Sequence, residues 1–182
     1  KGFREAMDDR AMLGMRVLLF EQNDGEFTEH QAWPDNALAT STTHDLPTLN
    51  GWWHGRDIDW NRDLELIDEP TEKQWRVTRE HERRALRQLL ALELQHSESE
   101  GIEDIDAIID ASTRFLGLTP APLVLLPIDD ALGIEEQANL PGTTDSHHNW
   151  RRRYSAHAQN LLDDEDAARR LELLACARQQ AS

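Results

Sequence analysis

The sequence predicts an α/β fold in which helices cover a parallel β-sheet. Three short segments, at 15–20, 37–43 and 123–128, are predicted as strands. The first and third are nearly all apolar, which is typical of strands that are buried on both faces. Segments of helical composition or periodicity lie before the first strand and on both sides of the third. Strands and helices that alternate in this way form parallel sheets, because each helix returns the chain to the same end of the sheet.

The helices are predicted from caps and from apolar stripes. The segment 71–74 has the form of a capping box directly after Pro70, and it opens a helix that runs to about Gln95. Isoleucine, phenylalanine and leucine then recur on one face of a second, amphipathic helix. In chain order, the predicted helices span 3–12, 71–95, 105–116 and 155–178.

Length and composition limit the size of this fold. The chain has 182 residues, of which 38% are hydrophobic, and these values indicate one domain with a modest core. A complete (β/α)8 barrel typically takes about 250 residues. Three strands are also too few to close a barrel.

Charge and cysteine content exclude several partners. The 19 Lys and Arg residues against 35 Asp and Glu give a net charge of −16, which repels nucleic acid and anionic membrane surfaces. Cys176 is the single cysteine, so an internal disulfide framework is excluded and a reducing, cytoplasmic setting is expected. The longest apolar runs are far shorter than a membrane span, so a soluble protein is expected. Neutral ligands are compatible with this composition.

Candidate functional residues follow the predicted strands, because the loops at the carboxyl end of a parallel sheet form one open face. These loops are 21–25, His44–Asp45 and 129–150. A strand that ends in His44 and Asp45 places a carboxylate at a reacting centre, beside an imidazole that donates to a substrate hydroxyl. On spacing alone, a turn or a helix cap is the more common use of such a pair.

Two other groups of residues have a functional and a structural interpretation. Trp52, beside Trp53, is either a platform for stacking a sugar ring or part of the core beneath the loop. Asn139 and Asp145 flank a Pro-Gly turn, and they are either hydroxyl partners of a saccharide or parts of a surface turn. The basic run 151–153 is expected to pair with carboxylates of the same acidic chain.

The sequence does not support a metal site. His147 and His148 are adjacent, so their side chains diverge if the segment is extended. No second histidine stands three or four residues away on a helix together with an acidic third ligand. Neither a metal nor a cofactor is therefore expected.

Two longer signatures resemble a known family. The segment 43–49, Thr-His-Asp-Leu-Pro-Thr-Leu, with Gly-Trp-Trp at 51–53, resembles the signature of the 4-α-glucanotransferases, also called amylomaltases or disproportionating enzymes. The segment 139–145, Asn-Leu-Pro-Gly-Thr-Thr-Asp, followed by Asn-Trp-Arg-Arg at 149–152, resembles a second signature of the same family. Two long signatures in the right order make this resemblance specific.

The resemblance implies a (β/α)8 barrel of the TIM type and a retaining transfer of an α-1,4-glucan segment to glucose or another glucan. Residues 1–182 correspond to the C-terminal segment of that catalytic barrel, about its last three strands and their helices. The family's nucleophilic Asp and acid/base Glu lie on earlier strands, and no motif in this sequence matches theirs. The chain is therefore expected to carry one of three catalytic carboxylates.

The resemblance also implies roles for individual residues. Asp45 stabilises the transition state, and His44 lies in the same subsite. With a glucan as the ligand, Trp52, Asn139 and Asp145 are the further residues expected to bind the maltooligosaccharide. It implies no cofactor and no partner other than the glucan, leaves the oligomeric state open, and suggests glycogen or maltodextrin metabolism in the cytoplasm.

Two alternatives stay open at this point. The chain alone is a noncatalytic oligosaccharide-binding fragment if the two missing carboxylates are never supplied. A hydrolase of the wider α-amylase clan is less favoured, because the second signature belongs with the transferases.

Overall fold

The computed structural model describes Gly2, 6–7, 9–94 and 104–181, and it has a three-stranded parallel sheet at its centre. In chain order, the described strands are β1 (Gly14–Val17), β2 (Gln22–Asn23), β3 (Glu26–Phe27), β4 (Ala37–Thr40) and β5 (Leu123–Leu125). Strand β4 lies between β1 and β5 and pairs in parallel with both, so that Leu38 aligns with Met15 and with Leu123. The predicted parallel sheet is confirmed.

Each strand of this sheet is shorter than predicted, for a local reason. After β1 the chain enters a 3-10 turn at Leu18–Phe20. Strand β4 ends at Thr40 because the hydroxyls of the next two residues donate to a buried carboxyl on another loop. Strand β5 ends two residues before Pro127, which precedes a short helix. The predicted strands over 15–20, 37–43 and 123–128 are therefore correct in place and too long.

Strands β2 and β3 form a separate antiparallel hairpin around Asp24 and Gly25. Both turn residues have positive φ, +51° and +84°, which is the backbone twist that two-residue hairpin turns require. An Asp-Gly pair is a typical sequence for such a turn.

Seven α-helices are present in the described part of the chain. They are α1 (Leu49–His54), α2 (Arg56–Asp63), α3 (Glu69–Leu89), α4 (Ala91–Leu94), α5 (Ile105–Leu118), α6 (Ile128–Ala131) and α7 (Glu165–Gln180).

The start of α3 corrects the predicted capping box at 71–74. The helix begins at Glu69, and the carboxylate of Asp68 caps it by accepting a hydrogen bond from the Thr71 backbone N–H at 2.9 Å. Pro70 lies inside the first turn, where a helix has no need of its missing N–H. Proline therefore belongs to the helix here instead of preceding it.

Other predicted helix bounds also change. Helices α3 and α4 replace the single helix expected over 71–95, and Gln95 lies outside the described residues. Helix α5 confirms the amphipathic helix over 105–116. The helix predicted over 155–178 is a 3-10 segment at Ala158–Asp163 followed by α7. Of the helix predicted over 3–12, 6–7 are helical, 9–11 form a turn, and 3–5 and 8 lie outside the described residues.

The two faces of the sheet differ. One face joins the main hydrophobic core, in which Ala37 and Ala39 of β4 pack with Ile108 and Phe115 of α5. The other face carries apolar side chains that are about half exposed: Met15, Leu123 and Leu125, at 57%, 52% and 51%. Two other side chains of this face, Val17 and Thr40, are buried, at 7% and 3% exposure. Within the described residues, no further strand pairs with the outer edges of β1 and β5.

A buried arginine connects the outer helices to the loop after β5. Arg170 of α7 is fully buried, and its guanidinium donates to Asp106 at 2.5 Å and to Asp110 at 2.9 Å, both on α5. It also donates to the backbone oxygen of Ala131 in α6 at 2.9 Å. A buried guanidinium is stable only when its donors are satisfied, so these contacts hold α5, α6 and α7 in one arrangement.

In the part of the chain that the structure describes, no helix combines the length and the apolarity that crossing a bilayer requires.

The packing of α5 on α7 gives a stability prediction. A Cβ at Gly117 would lie 2.5 Å from the Cβ of Ala177 and 3.1 Å from the backbone oxygen of Leu174, so Gly117→Ala must separate the helices. We expect it to lower the free energy of unfolding by about 1–3 kcal/mol in urea titrations of the chain. Gly14→Ala is the control, because a Cβ there meets nothing within 4 Å. Equal stability of the two variants would contradict this description of the helix contact.

Candidate functional site

The loops after β4 and β5 meet beyond the carboxyl ends of these strands. Asn139, from the second loop, donates to Asp45 of the first, although the two residues are 94 positions apart in sequence. The loop after β1, at 21–25, forms the β2–β3 hairpin, and its Glu21 accepts a hydrogen bond from Arg16. Two of the three loops predicted to share this face are thus joined by direct contact.

Asp45 is the exposed carboxylate of this cluster. Its Oδ1 accepts a hydrogen bond from Asn139 Nδ2 at 2.7 Å, and its Oδ2 lies 3.4 Å from His44 Nε2. The side chains of His44 and Asp45 are 65% and 55% exposed. A carboxylate has about four acceptor positions, so these contacts leave room for hydroxyl groups of a ligand. The structure brings together three of the predicted site residues.

Trp150 adds an aromatic ring to the site. It belongs to the second signature, in which the sequence alone gives it no role. Its ring centroid lies 5.4 Å from that of His44, and the residue is 63% exposed. Its φ of +59° is rare for a bulky residue and indicates local strain. The backbone N–H of Trp150 donates to Ala138 O at 2.9 Å, which holds the ring at the edge of the site.

A buried carboxyl lies at the base of the first loop. Asp130 is completely buried, and its Oδ2 accepts hydrogen bonds from the hydroxyls of Ser41 at 2.5 Å and Thr42 at 2.7 Å. Its Oδ1 accepts a hydrogen bond from the backbone N–H of Leu49 at 2.7 Å. The residues on both sides of His44 and Asp45 are therefore bound to one side chain.

The second loop is held in shape from within by Asn149. Its side-chain oxygen accepts from the Leu140 backbone N–H at 2.8 Å, and its amide nitrogen donates to the hydroxyl of Thr143 at 2.8 Å. Thr143 in turn donates to the Leu140 backbone oxygen at 2.7 Å. These contacts explain the asparagine and threonine of the second signature as the residues that close its turn.

Asp129 secures the far end of the same loop. Its Oδ1 accepts hydrogen bonds from Arg152 at 2.8 Å and from the Tyr154 hydroxyl at 2.9 Å. Burial, together with this hydrogen bond, raises the pKa of Tyr154 to about 12, so the phenol keeps the proton that it donates. The adjacent carboxyls of Asp129 and Asp130 thus anchor two different loops.

The family model for 4-alpha-glucanotransferase matches residues 1–159 of this chain. The chain belongs to the 4-alpha-glucanotransferase family. It is 32% identical over 148 residues to the 4-alpha-glucanotransferase of Mycobacterium tuberculosis (strain ATCC 25618 / H37Rv), a match that covers 78% of this chain and 20% of the relative. The 4-alpha-glucanotransferase of Haemophilus influenzae is 30% identical over 141 residues, covering 74% of this chain and 20% of the relative.

Solved structures show the same fold for these residues. Amylomaltase from Corynebacterium glutamicum superposes with a TM-score of 0.78 and 23% identity, over 96% of this chain and 26% of that one. Amylomaltase from Streptococcus agalactiae in complex with acarbose gives a TM-score of 0.60 and 17% identity, over 97% and 29%. The chain thus spans about a fifth of the length of the curated relatives and about a quarter of the first amylomaltase structure.

The Gly-Trp-Trp segment at 51–53 is a packing element beneath the first loop. Gly51 lies so close to the backbone oxygen of Glu135 that a side chain would collide with it, and Thr48 donates to the same oxygen at 3.0 Å. Trp52 and Trp53 are buried, at 5% and 4% exposure. The start of helix α1 therefore packs directly against the loop after β5 at Glu135.

The buried position of Trp52 corresponds to the core interpretation of that residue. The guanidinium of Arg79 lies 4.9 Å from its ring centroid and donates to its backbone oxygen, and Arg83 donates to the backbone oxygen of Trp53 at 2.9 Å. Cations at the carboxyl end of a helix satisfy its free carbonyls, so α3 holds the end of α1. The ring of Trp52 presents no open face for a sugar in the described chain.

Asp145 lies outside the contacts that surround Asp45. Its side chain is 88% exposed and lies 3.8 Å from Arg151. Arg152 pairs with Asp129, as described above, so the first two arginines of the basic run pair with carboxylates of the chain, in agreement with the sequence interpretation.

His147 is a packed residue of the second loop. It is 5% exposed, its ring meets that of Trp60 edge-on at 4.7 Å, and its Nδ1 lies 2.7 Å from Asn149 Oδ1. Among the residues that the structure describes, no group of three or more His, Cys, Asp or Glu side chains is arranged to hold a metal ion.

The burial of Asp130 gives a prediction for pH dependence. Burial raises the pKa of Asp130 above its ordinary value of 3.8, and it outweighs the opposite effect of Ser41, Leu49 and Thr42. A raised pKa in the folded state means that Asp130 contributes most stability below pH 3.8 and that this contribution is lost as the pH rises through the raised value. Asp130→Asn removes this titration.

We therefore expect the stability advantage of the wild-type chain over Asp130→Asn to shrink as the pH rises from about 4 towards 8. Urea unfolding of both proteins across that range measures it. An advantage that grows with pH would show that the folded state lowers the pKa of Asp130 instead.

Proposed function

We propose that this chain forms the C-terminal part of the catalytic barrel of a 4-alpha-glucanotransferase and supplies its transition-state carboxylate, Asp45. The observation that supports this role most directly is the exposed Asp45 carboxylate, oriented by Asn139 at the carboxyl end of a parallel sheet. This end of the strands is the catalytic side of (β/α)8 enzymes.

The half-exposed apolar side chains on the second face of the sheet support a barrel. Met15, Leu123 and Leu125 form an apolar surface on a sheet whose two edge strands are open in the described residues. In a closed barrel, further strands cover both edges and the inward side chains pack in layers. We propose that the strands before this segment fill that role and carry the nucleophilic Asp and the acid/base Glu.

In the proposed retaining mechanism, the upstream Asp attacks the anomeric carbon while the upstream Glu protonates the leaving oxygen. The 4-hydroxyl of an acceptor glucan then replaces the enzyme carboxylate, with the Glu as base. Asp45 accepts hydrogen bonds from hydroxyls of the distorted sugar, and these bonds strengthen as positive charge develops on the ring. His44, whose Nε2 lies 3.4 Å from Asp45 Oδ2, donates to a neighbouring hydroxyl of the sugar.

Asn139, Asp145 and Trp150 extend the proposed substrate contacts. Asn139 orients Asp45, and the carboxylate of Asp145, which is 88% exposed and 3.8 Å from Arg151, accepts from hydroxyls of the glucan. The open ring of Trp150 next to His44 offers the flat surface on which the C–H face of a glucose unit packs. For Trp52, the buried position supports a role in packing beneath the loop.

The proposed substrate is a neutral α-1,4-glucan of glycogen or maltodextrin metabolism in the cytoplasm. A net charge of −16 does not repel an uncharged ligand. The fold similarity to an amylomaltase in complex with acarbose supports an oligosaccharide ligand.

The same chain in isolation has a second candidate function, which is binding of oligosaccharide without catalysis. This alternative is favoured because Asp45 is the one residue of this sequence that matches a catalytic carboxylate of the family, which has three. Release of glucose from maltotriose by the 182-residue chain alone would exclude it.

Asp45→Asn in the full-length enzyme tests the proposed role. The amide keeps the size of the side chain and removes its charge, so we expect kcat for maltotriose disproportionation to fall by roughly 10²–10³-fold. Asp24→Asn is the control, because it makes the same chemical change in the exposed hairpin turn, where asparagine tolerates the positive φ. Near-normal transfer by Asp45→Asn would refute the role of Asp45.

Product analysis distinguishes a transferase from a hydrolase. We expect maltotriose to yield glucose together with longer dextrins, because the acceptor is another glucan. Exclusively shorter products would assign the enzyme to hydrolysis.

A further inference from the structure

We propose that Asp130 is a positioning residue of the transfer reaction, which acts by holding the loop that presents Asp45. This inference rests on the proposed function of Asp45. It concerns a side chain that is completely buried and has no access to substrate.

Asp130 binds the loop at both of its ends. Before His44 and Asp45, the hydroxyls of Ser41 and Thr42 donate to its Oδ2, at 2.5 and 2.7 Å. After them, the backbone N–H of Leu49 donates to its Oδ1 at 2.7 Å. One carboxyl group therefore fixes the distance between the two ends of the segment 43–48.

Secondary contacts leave this segment little freedom between its fixed ends. The Leu46 backbone N–H donates to the Thr43 backbone oxygen at 3.0 Å, which forms a turn around Asp45. The Thr40 hydroxyl donates to the backbone oxygen of Thr42 at 2.9 Å, and the Thr48 hydroxyl donates to the backbone oxygen of Glu135 at 3.0 Å. A short loop that is fixed at both ends and turned in the middle has few conformations, so the position of Asp45 follows from its anchors.

The anchor itself is held by the outer helices. Arg170, which is fully buried, donates to the backbone oxygen of Ala131, the residue after Asp130. The same guanidinium binds Asp106 and Asp110 of α5. A continuous set of hydrogen bonds thus leads from α5 and α7 through α6 to the segment 43–48. The carboxyl of Asp130 is therefore held in place independently of that segment.

The expected consequence is a loss of rate with little loss of binding. Asp45 is proposed to act mainly in the transition state, and displacement of a catalytic group by about 1 Å can cost roughly 10²-fold in rate. We expect Asp130→Asn to lower kcat roughly 10- to 100-fold and to change KM by less than about threefold. Thr42→Val removes one of the three donors, and we expect a loss of roughly two- to tenfold.

A double-mutant cycle in the full-length enzyme tests whether Asp130 acts through Asp45. kcat and KM for maltotriose disproportionation are measured for Asp130→Asn and Thr42→Val, each in the wild-type and in the Asp45→Asn background. If Asp130 acts by positioning Asp45, either substitution lowers kcat in the wild-type background and changes it by less than about twofold once Asp45 is replaced. Thr42→Val provides the same comparison if Asp130→Asn fails to fold.

Asp68→Ala is the control for stability. It removes a carboxylate that caps α3 and contacts Thr71, and it leaves every anchor of the loop in place. We expect it to keep the wild-type kcat.

Three results would overturn the positioning role: equal loss of kcat in both backgrounds, wild-type kcat in Asp130→Asn, or an equal loss in Asp68→Ala. A fully active Asp45→Asn enzyme would instead refute the proposed function, and the positioning role with it.

Discussion

Three hydrogen bonds converge on the buried carboxyl of Asp130, and the arrangement of the site depends on them. They connect the short helix after β5 to the residues on both sides of His44 and Asp45, across 81 to 89 positions of sequence. Burying a carboxyl is costly unless it is hydrogen-bonded, so this cluster forms only when both loops are in their native positions. Strand β4 ends where its next two residues turn towards this carboxyl. The fold and the geometry of the site are thus determined at the same place.

The remaining contacts of the site extend this arrangement outward. Asp129, the neighbour of Asp130, holds the end of the second loop through Arg152 and Tyr154, while Asn149 closes the turn within that loop. Asn139 then reaches across to Asp45. Most residues of the two family signatures therefore hold the loops in shape, and only a few of their side chains are exposed to contact a ligand. The proposed glucan-transferring site needs this rigidity, because its carboxylate must be in place before the transition state forms.

The sequence predicted the class of fold and the three parallel strands, because apolar runs carry that information. Local signatures placed the candidate site at His44 and Asp45, and its function stays a prediction. The sequence did not reveal Asp130 as an anchor, since hydrogen bonds between distant residues leave no local pattern. The start of α3 at Glu69, capped by Asp68, was not predicted, because a proline is common both just before a helix and in its first turn. The sequence left two interpretations open for Trp52 and gave Trp150 no role, because burial and a positive φ are properties of the tertiary structure.

Asp45 is proposed to meet the sugar at the reacting centre, in a barrel that further strands complete. A crystal structure of the full-length enzyme with acarbose tests it most directly. We predict that both oxygens of Asp45 lie within about 3 Å of ligand hydroxyls, with the upstream Asp and Glu on either side of the same sugar unit. Acarbose bound in the active site without contact to Asp45 would contradict the account.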